Sequence, residues 1–154
     1  MPVATWLVKS EPEAYSIDDL ARDKRTMWDG VRNYQARNYL RDMAVGDRLL
    51  YYHSNCDVPG VVGLAKVVST AYPDPTQFDP RSDYHDPRSS PENPRWSCIE
   101  VAPEKAFPRL VGLADLRTCP ALKNLLILRP GNRLSVTPVT ATEFRAIAAL
   151  GKGR

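Results

Sequence analysis

Residues Trp28-Asp29-Gly30-Val31-Arg32-Asn33-Tyr34 bring together a large π-face, a flexible glycine and charged and amide donors. They run directly into a segment with helical apolar spacing, so these groups collect at one helix N-terminus. Such a set suits a flat, polar, partly anionic ligand, a nucleotide base with its phosphate. Bases stack on aromatic rings for about 1–3 kcal/mol each, and helix N-termini favour anions. The chemistry implied is binding, with no catalytic residues.

Trp28 reads as a pocket wall, with a plain core tryptophan as the alternative. Its polar turn neighbours favour the wall. Trp6 lies inside an apolar run and belongs to the core, while Trp96, after Pro94-Arg95, is open between core and pocket rim. Asn33 can serve both a donor and an acceptor on a base edge, or it can cap the helix. These roles need different orientations and stay open. Asn33, Arg37 and Arg41 fall four apart on one face and can converge on one ligand. Arg37 and Asn38 are candidates for phosphate and sugar, against the alternative of a solvated helix face. Lys9-Ser10-Glu11 sets an ammonium, a hydroxyl and a carboxylate at a strand end, where Pro12 halts pairing. His53-Ser54 ends another strand, and period-2 alternation lets only one of the two face a common pocket.

The stretch from Phe78 to Pro87 offers Asp79, Asp83, His85 and Asp86 as ligands for a hard divalent metal. Turn chemistry accounts for the same aspartates without one. A lid is the better expectation, with Tyr84 and Arg81 or Arg88 closing over a ligand. Cys56 lies three residues from His53, but no third group orients a base. No G-x-S-x-G, P-loop, Rossmann fingerprint or HExxH occurs.

The elements that must position these groups follow from local pattern. Thr5–Val8 reads as a buried strand. Ser16 caps a short helix with Ile17, Leu20 and Ala21 apolar. Tyr34 to Met43 is a second helix, with Ala36, Tyr39, Leu40 and Met43 toward the core. Arg48–His53 is a strand, and Val61–Tyr72 a long second one. Residues 73–95 hold six of the fourteen prolines and form a long loop. Trp96–Phe107 resumes as strand, Val111–Thr118 is a short helix, and Leu125–Val136 is apolar and strand-rich. Thr140-Ala141-Thr142-Glu143 opens a last helix as a capping box, with Phe144, Ile147, Ala148 and Leu150 at core spacing. With no βαβ alternation, the expected class is α+β: a small, mostly antiparallel β-barrel decorated by short helices.

A chain of 154 residues with 43% hydrophobic and 25% charged residues fits one globular domain, 1–154. The net charge of +3 allows a phosphate partner without demanding one. Three scattered cysteines argue against a disulfide framework and for a reducing compartment. No apolar run approaches a membrane span and Met1-Pro2-Val3 opens no signal peptide, so a soluble cytoplasmic protein is expected.

Four blocks carry a resemblance: Trp6-Leu7-Val8-Lys9-Ser10-Glu11-Pro12, Trp28 to Tyr34, Tyr52-His53-Ser54-Asn55, and Gln77-Phe78-Asp79-Pro80. In this order they resemble the signature blocks of the EVE domain, the domain of the thymocyte nuclear protein family. The resemblance implies a PUA-like barrel, related to the YTH and ASCH domains, with a pocket for a modified nucleobase. It further implies 5-methylcytosine or 5-hydroxymethylcytosine in DNA as ligand, with N6-methyladenine in RNA as the alternative suggested by the YTH relation. Under it the expected base pocket is Trp28, Asn33, Ser10, Glu11, His53, Ser54 and Tyr84. The expected phosphate contacts are Lys9, Arg32, Arg37 and Arg41. No cofactor or metal is expected. The partner is nucleic acid bound by a monomer, in the cytoplasm at a bacterial nucleoid or in a nucleus. Two alternatives compete: a metal-dependent nucleic-acid hydrolase using the Asp/His loop, and a polyproline II ligand at Pro91-Glu92-Asn93-Pro94.

Overall fold

Strand β1 (Thr5–Ser10) sends alternate side chains to opposite sheet faces. Trp6 and Val8 enter one apolar cluster, and Leu7 enters the other. A strand covered on both faces is apolar throughout, which is why Trp6-Leu7-Val8 shows no alternation. The computed structural model describes residues 3–152; Met1 and Pro2, on which the leader expectation partly rests, and residues 153–154 lie outside the described residues.

β1 pairs in parallel with β3 (Arg48–His53) and antiparallel with β7 (Val136–Val139). Beyond β3 come β4 (Gly60–Val67), β6 (Ser97–Gly112) and β2 (Thr26–Trp28), all antiparallel, and the two-residue β5 (Tyr72–Pro73) joins β6. The sheet order is therefore β2-β6-β4-β3-β1-β7. It is a curled, antiparallel-dominated half-barrel with short helices, the α+β PUA-like class expected.

Helices cover both faces. On one, α1 (Ile17–Asp23) and α2 (Tyr34–Asp42) bury Ile17, Leu20, Ala36 and Leu40 against Trp6, Val8 and Tyr51. On the other, α3 (Leu113–Thr118) and α4 (Ala141–Gly151) bury Leu116, Phe144 and Ile147 against Leu7, Leu50 and Val61. The caps form as their sequence pattern requires. Ser16 Oγ accepts from the Asp19 N–H and the Asp19 carboxylate accepts from the Ser16 N–H; Thr140 and Glu143 repeat the pair. Each cap contributes about 1 kcal/mol.

Three elements differ from expectation. The apolar stretch Leu125–Val136 is not strand: it holds a 3-10 turn, Leu126–Leu128, and a loop, and pairing starts only at Val136. Leu122 and Leu125 are buried beneath α3 and α4, so the apolarity reflects cover over the second cluster, and Gly131 at φ +78° turns the chain. The expected strand to Tyr72 ends at Val67 and restarts as β5. Between them Ser69 Oγ accepts from the Glu100 N–H in place of a ladder bond. β6 runs past Phe107 to Gly112, bending through two register shifts against β4, so α3 begins at Leu113 and Val111 stays in the sheet.

Candidate nucleic-acid interface

The ends of β1 and β2, the loop into α2 and one residue of the long loop surround a cleft of about 890 Å³. It brings together Lys9, Ser10, Glu11, Trp28, Asn33, Ser54 and Tyr84 from the sequence-derived set, with Arg32 at its wall.

Trp28 closes β2 opposite Ile99 and is 8% exposed. Its ring meets Tyr51 edge-on at 5.5 Å, inside the first apolar cluster, while part of it lines the cleft. The two readings of this tryptophan coexist: the core holds the indole, and the cleft uses what remains exposed. Asn33 is the N-cap of α2, its Oδ1 accepting from the Ala36 N–H at 3.0 Å. That bond orients the amide, so its NH₂ is the group left for the cleft. Ser54 draws two strand ends together through its N–H to the Ser10 carbonyl, 3.0 Å. Glu11 accepts from Asn55 Nδ2 at 3.0 Å. Lys9 is half-buried, with Nζ 5.7 Å from the Tyr52 ring, and burial lowers its pKa.

Tyr84, 47% exposed, lies against Gly30. A Cβ at residue 30 would come within 2.7 Å of the phenol ring, and φ is +81°, so both contact and backbone call for glycine.

Four expected site residues are otherwise engaged. His53 does not line the cleft; its Nε2 accepts from the Ile17 N–H at 3.1 Å, serving the start of α1. Of the pair at the end of β3, Ser54 faces the cleft, as alternation requires. Arg32 gives its whole fork to the fold: Nε and Nη2 donate to the Tyr84 carbonyl, Nη2 to Thr76 Oγ1, and Nη1 to the Val31 carbonyl and to Asp74 at 3.0 Å. A guanidinium has five N–H donors, so none is left for a phosphate. Arg37 and Arg41 do converge, but on the chain's own Arg95 carbonyl, at 2.8 and 3.5 Å. Both lie off the cleft. Asn38 accepts from Arg37 on the helix surface.

Those arginines help hold the long loop, and buried polar groups complete the task. Gln77 donates to the carbonyls of Asp74 and Trp96 and accepts from the N–H groups of Arg95 and Trp96. Asp74 accepts from Thr76, from the Gly30 N–H and from Arg32; burial alone would raise its pKa, but these bonds outweigh it and hold it below the usual range. Asp86 accepts from the Trp96 indole at 2.7 Å and from Arg88, which hold its pKa down at about 2. Trp96 is thus core, with Tyr34 stacked on it at 4.6 Å, and lines only a smaller separate cleft of about 370 Å³.

The loop's other readings fare differently. Asp79 and Asp86 accept from the N–H two residues on, at Arg81 and Arg88, which is turn chemistry. Among the described residues no three His, Cys, Asp or Glu side chains are placed to hold a metal. Pro91 to Pro94 is not a polyproline II helix: the Asn93 N–H donates back to the Ser90 carbonyl at 2.9 Å, closing a tight turn, whereas that helix has no internal hydrogen bonds.

Sequence reasoning left out Asp29, Tyr15 and Arg133, which also line the cleft. Asp29 was legible from its place beside Trp28. Arg133 was not, because its segment read as strand.

Comparison with known proteins places this geometry. The chain is 44% identical to human thymocyte nuclear protein 1 over 94% of its own length and 72% of that protein's. A solved protein from Pseudomonas syringae is 50% identical and superposes with a TM-score of 0.93, covering 96% of this chain and 99% of its own. Human THYN1, crystallised in complex with DNA containing 5-methylcytosine, superposes with a TM-score of 0.92 at 40% identity, covering 98% and 99%. A Zymomonas mobilis ASCH protein, 13% identical with a TM-score of 0.54, shares the fold alone. The EVE domain model matches residues 4–150, and the chain belongs to the EVE domain family.

Proposed function

We propose that this chain, as a single domain and a monomer, is a non-catalytic reader of a modified base in DNA. One nucleotide carrying 5-methylcytosine or 5-hydroxymethylcytosine leaves the stack and enters the Trp28 cleft. The supporting observation is the cleft itself. Its 890 Å³ lies within the range of small-molecule sites. An aromatic ring, an amide, a hydroxyl and carboxylates form its walls, and Lys9 and Arg133 are its cations without an acidic partner among the described residues. A family member of the same fold has been crystallised with DNA containing 5-methylcytosine. Such a reader works where DNA is, in a bacterial cytoplasm or a nucleus.

Magnitudes shape the mechanism. Extruding a base costs a few kcal/mol, and stacking returns about 1–3 kcal/mol per ring. Contacts from both Trp28 and Tyr84 are needed to offset extrusion. A buried methyl adds about 0.8 kcal/mol, roughly four-fold in affinity, so polar contacts from Ser10, Glu11 and Asn33 must carry the rest of the selectivity. Phosphate contact falls to Lys9 and Arg133, since Arg32 donates its whole fork within the fold and Arg37 and Arg41 lie off the cleft.

The test is a titration of labelled duplexes bearing one cytosine, 5-methylcytosine or 5-hydroxymethylcytosine, with Tyr84→Ala as the variant. Tyr84 is exposed and can be removed without opening the core, whereas Trp28→Ala would cost about 3–5 kcal/mol of stability and confuse binding with unfolding. Modified duplexes should bind a few-fold tighter than unmodified ones, and Tyr84→Ala should weaken binding about ten-fold. Equal binding of all three duplexes by the wild type removes the reading.

A further inference from the structure

A methyl group at C5 does not separate 5-methylcytosine from thymine, which carries the same methyl. The two differ at C4 and N3. Cytosines offer an amino donor and a ring acceptor, and thymine offers a carbonyl acceptor and an N–H donor. A cleft that read only shape and methyl would take up thymine, present throughout DNA. An acceptor aimed at C4 discriminates directly, because a carboxylate, which cannot donate, rejects a carbonyl there.

We infer that Asp29 is the specificity-determining residue, accepting a hydrogen bond from the exocyclic amino group so that the cleft takes cytosine-type bases and refuses thymine. This deepens the reader function proposed above and rests on it. Two carboxylates line the cleft, Asp29 and Glu11. Glu11 is exposed and one of its oxygens is held by Asn55. Asp29 is half-buried beside Trp28 and accepts no side-chain hydrogen bond from another residue among the described residues. The fold provides for its neighbour instead. Asp74 takes the Gly30 N–H, Thr76 and Arg32. Asp29 therefore carries an open demand for a donor, inside the cleft. Burial, and then the charge of Asp74, raise its pKa, a strain that a bound amino group relieves. Asn33 supplies the complementary half. Its cap leaves an NH₂ donor toward the cleft, matched to the O2 or N3 acceptor of a cytosine.

The experiment titrates the full chain with duplexes carrying cytosine, 5-methylcytosine or thymine at one position opposite an abasic site, which equalises the extrusion penalty. Asp29→Asn, isosteric and able to turn either amide atom inward, is the first variant. Asp29→Ser is the second, and melting curves confirm that both fold. The wild type should prefer both cytosines over thymine by about ten-fold. Both variants should close that gap to about three-fold or less while 5-methylcytosine still binds tighter than cytosine. A gap unchanged in both variants, or a wild type that binds thymine as well as cytosine, overturns the inference. If the wild type shows no preference for 5-methylcytosine over cytosine, the modified-base reading fails. The cytosine–thymine comparison still decides the role of Asp29.

Discussion

Arg32 is the side chain whose loss should propagate furthest. Its partner Asp74 has no exposure, so removing the guanidinium leaves a buried carboxylate without its counter-charge, held only by Thr76 and the Gly30 N–H, and frees the Tyr84 carbonyl. Breaking a buried pair this way costs several kcal/mol. With Arg32 partly exposed, we expect Arg32→Ala to lower unfolding stability by about 3 kcal/mol in urea titrations, and to weaken DNA binding through the released Tyr84. His53 makes a different prediction. Its Nε2 must stay unprotonated to accept from the Ile17 N–H, and burial lowers its pKa below 6.5 despite the opposing charge of Asp18. Between the folded and unfolded pKa values the unfolded chain binds more protons, so the stabilisation is complete above pH about 6.5 and is lost as pH falls through the folded value. Melting temperature should drop over that acid range in the wild type and drop less in His53→Gln.

Among the elements, the 73–95 loop is the one whose anchors its composition does not reveal. Rich in proline and polar residues, it reads as an ordered or semi-ordered lid, and Gln77, Asp74 and Asp86 anchor it by buried hydrogen bonds to Trp96, just before β6, and to residue 30. Gln77→Ala would leave the N–H groups of Arg95 and Trp96 without partners, while the carbonyls of Asp74 and Trp96 keep the backbone N–H groups of Gln77 and Asp74. At about 1–3 kcal/mol per stranded buried group, we expect a loss of roughly 3 kcal/mol, with amide exchange rising at Arg95 and Trp96. Unchanged exchange there would mean that Gln77 is not the clamp. The helices show the opposite case. Ser16 and Thr140 announce α1 and α4 because a capping box is local, complete within four residues. Leu125–Val136 misled because apolarity reports burial, and burial beneath α3 and α4 needs no strand.

At the scale of the molecule, a net charge of +3 and two cleft cations without an acidic partner among the described residues, Lys9 and Arg133, should make the proposed reader a weakly electrostatic binder. Each phosphate contact contributes about 0.9 to the slope of log affinity against log salt for duplex DNA. Lys9→Ala and Arg133→Ala should each lower that slope by about one. Arg37→Ala should leave it near the wild-type value while lowering the melting temperature, since its donors hold the Arg95 carbonyl and Asn38. A steep fall with Arg37→Ala and none with Lys9→Ala would move the DNA path from the cleft to the outer face of α2.

What the amino-acid sequence determined by itself was everything set by neighbours in the chain: the caps, the doubly buried first strand, the antiparallel class, and the Trp28–Tyr34 segment as the place to look. Tertiary structure decided how each polar group is employed. Asn33 caps because Ala36 follows it by three, a local fact. That Arg32 serves Asp74 and Tyr84, that Arg37 serves Arg95, and that His53 serves Ile17 depends on contacts 36 to 58 residues apart along the chain. Donor and acceptor types are written in the sequence, but their partners are chosen by the fold, and a guanidinium with all five donors engaged, as Arg32 is, has none left to give a ligand.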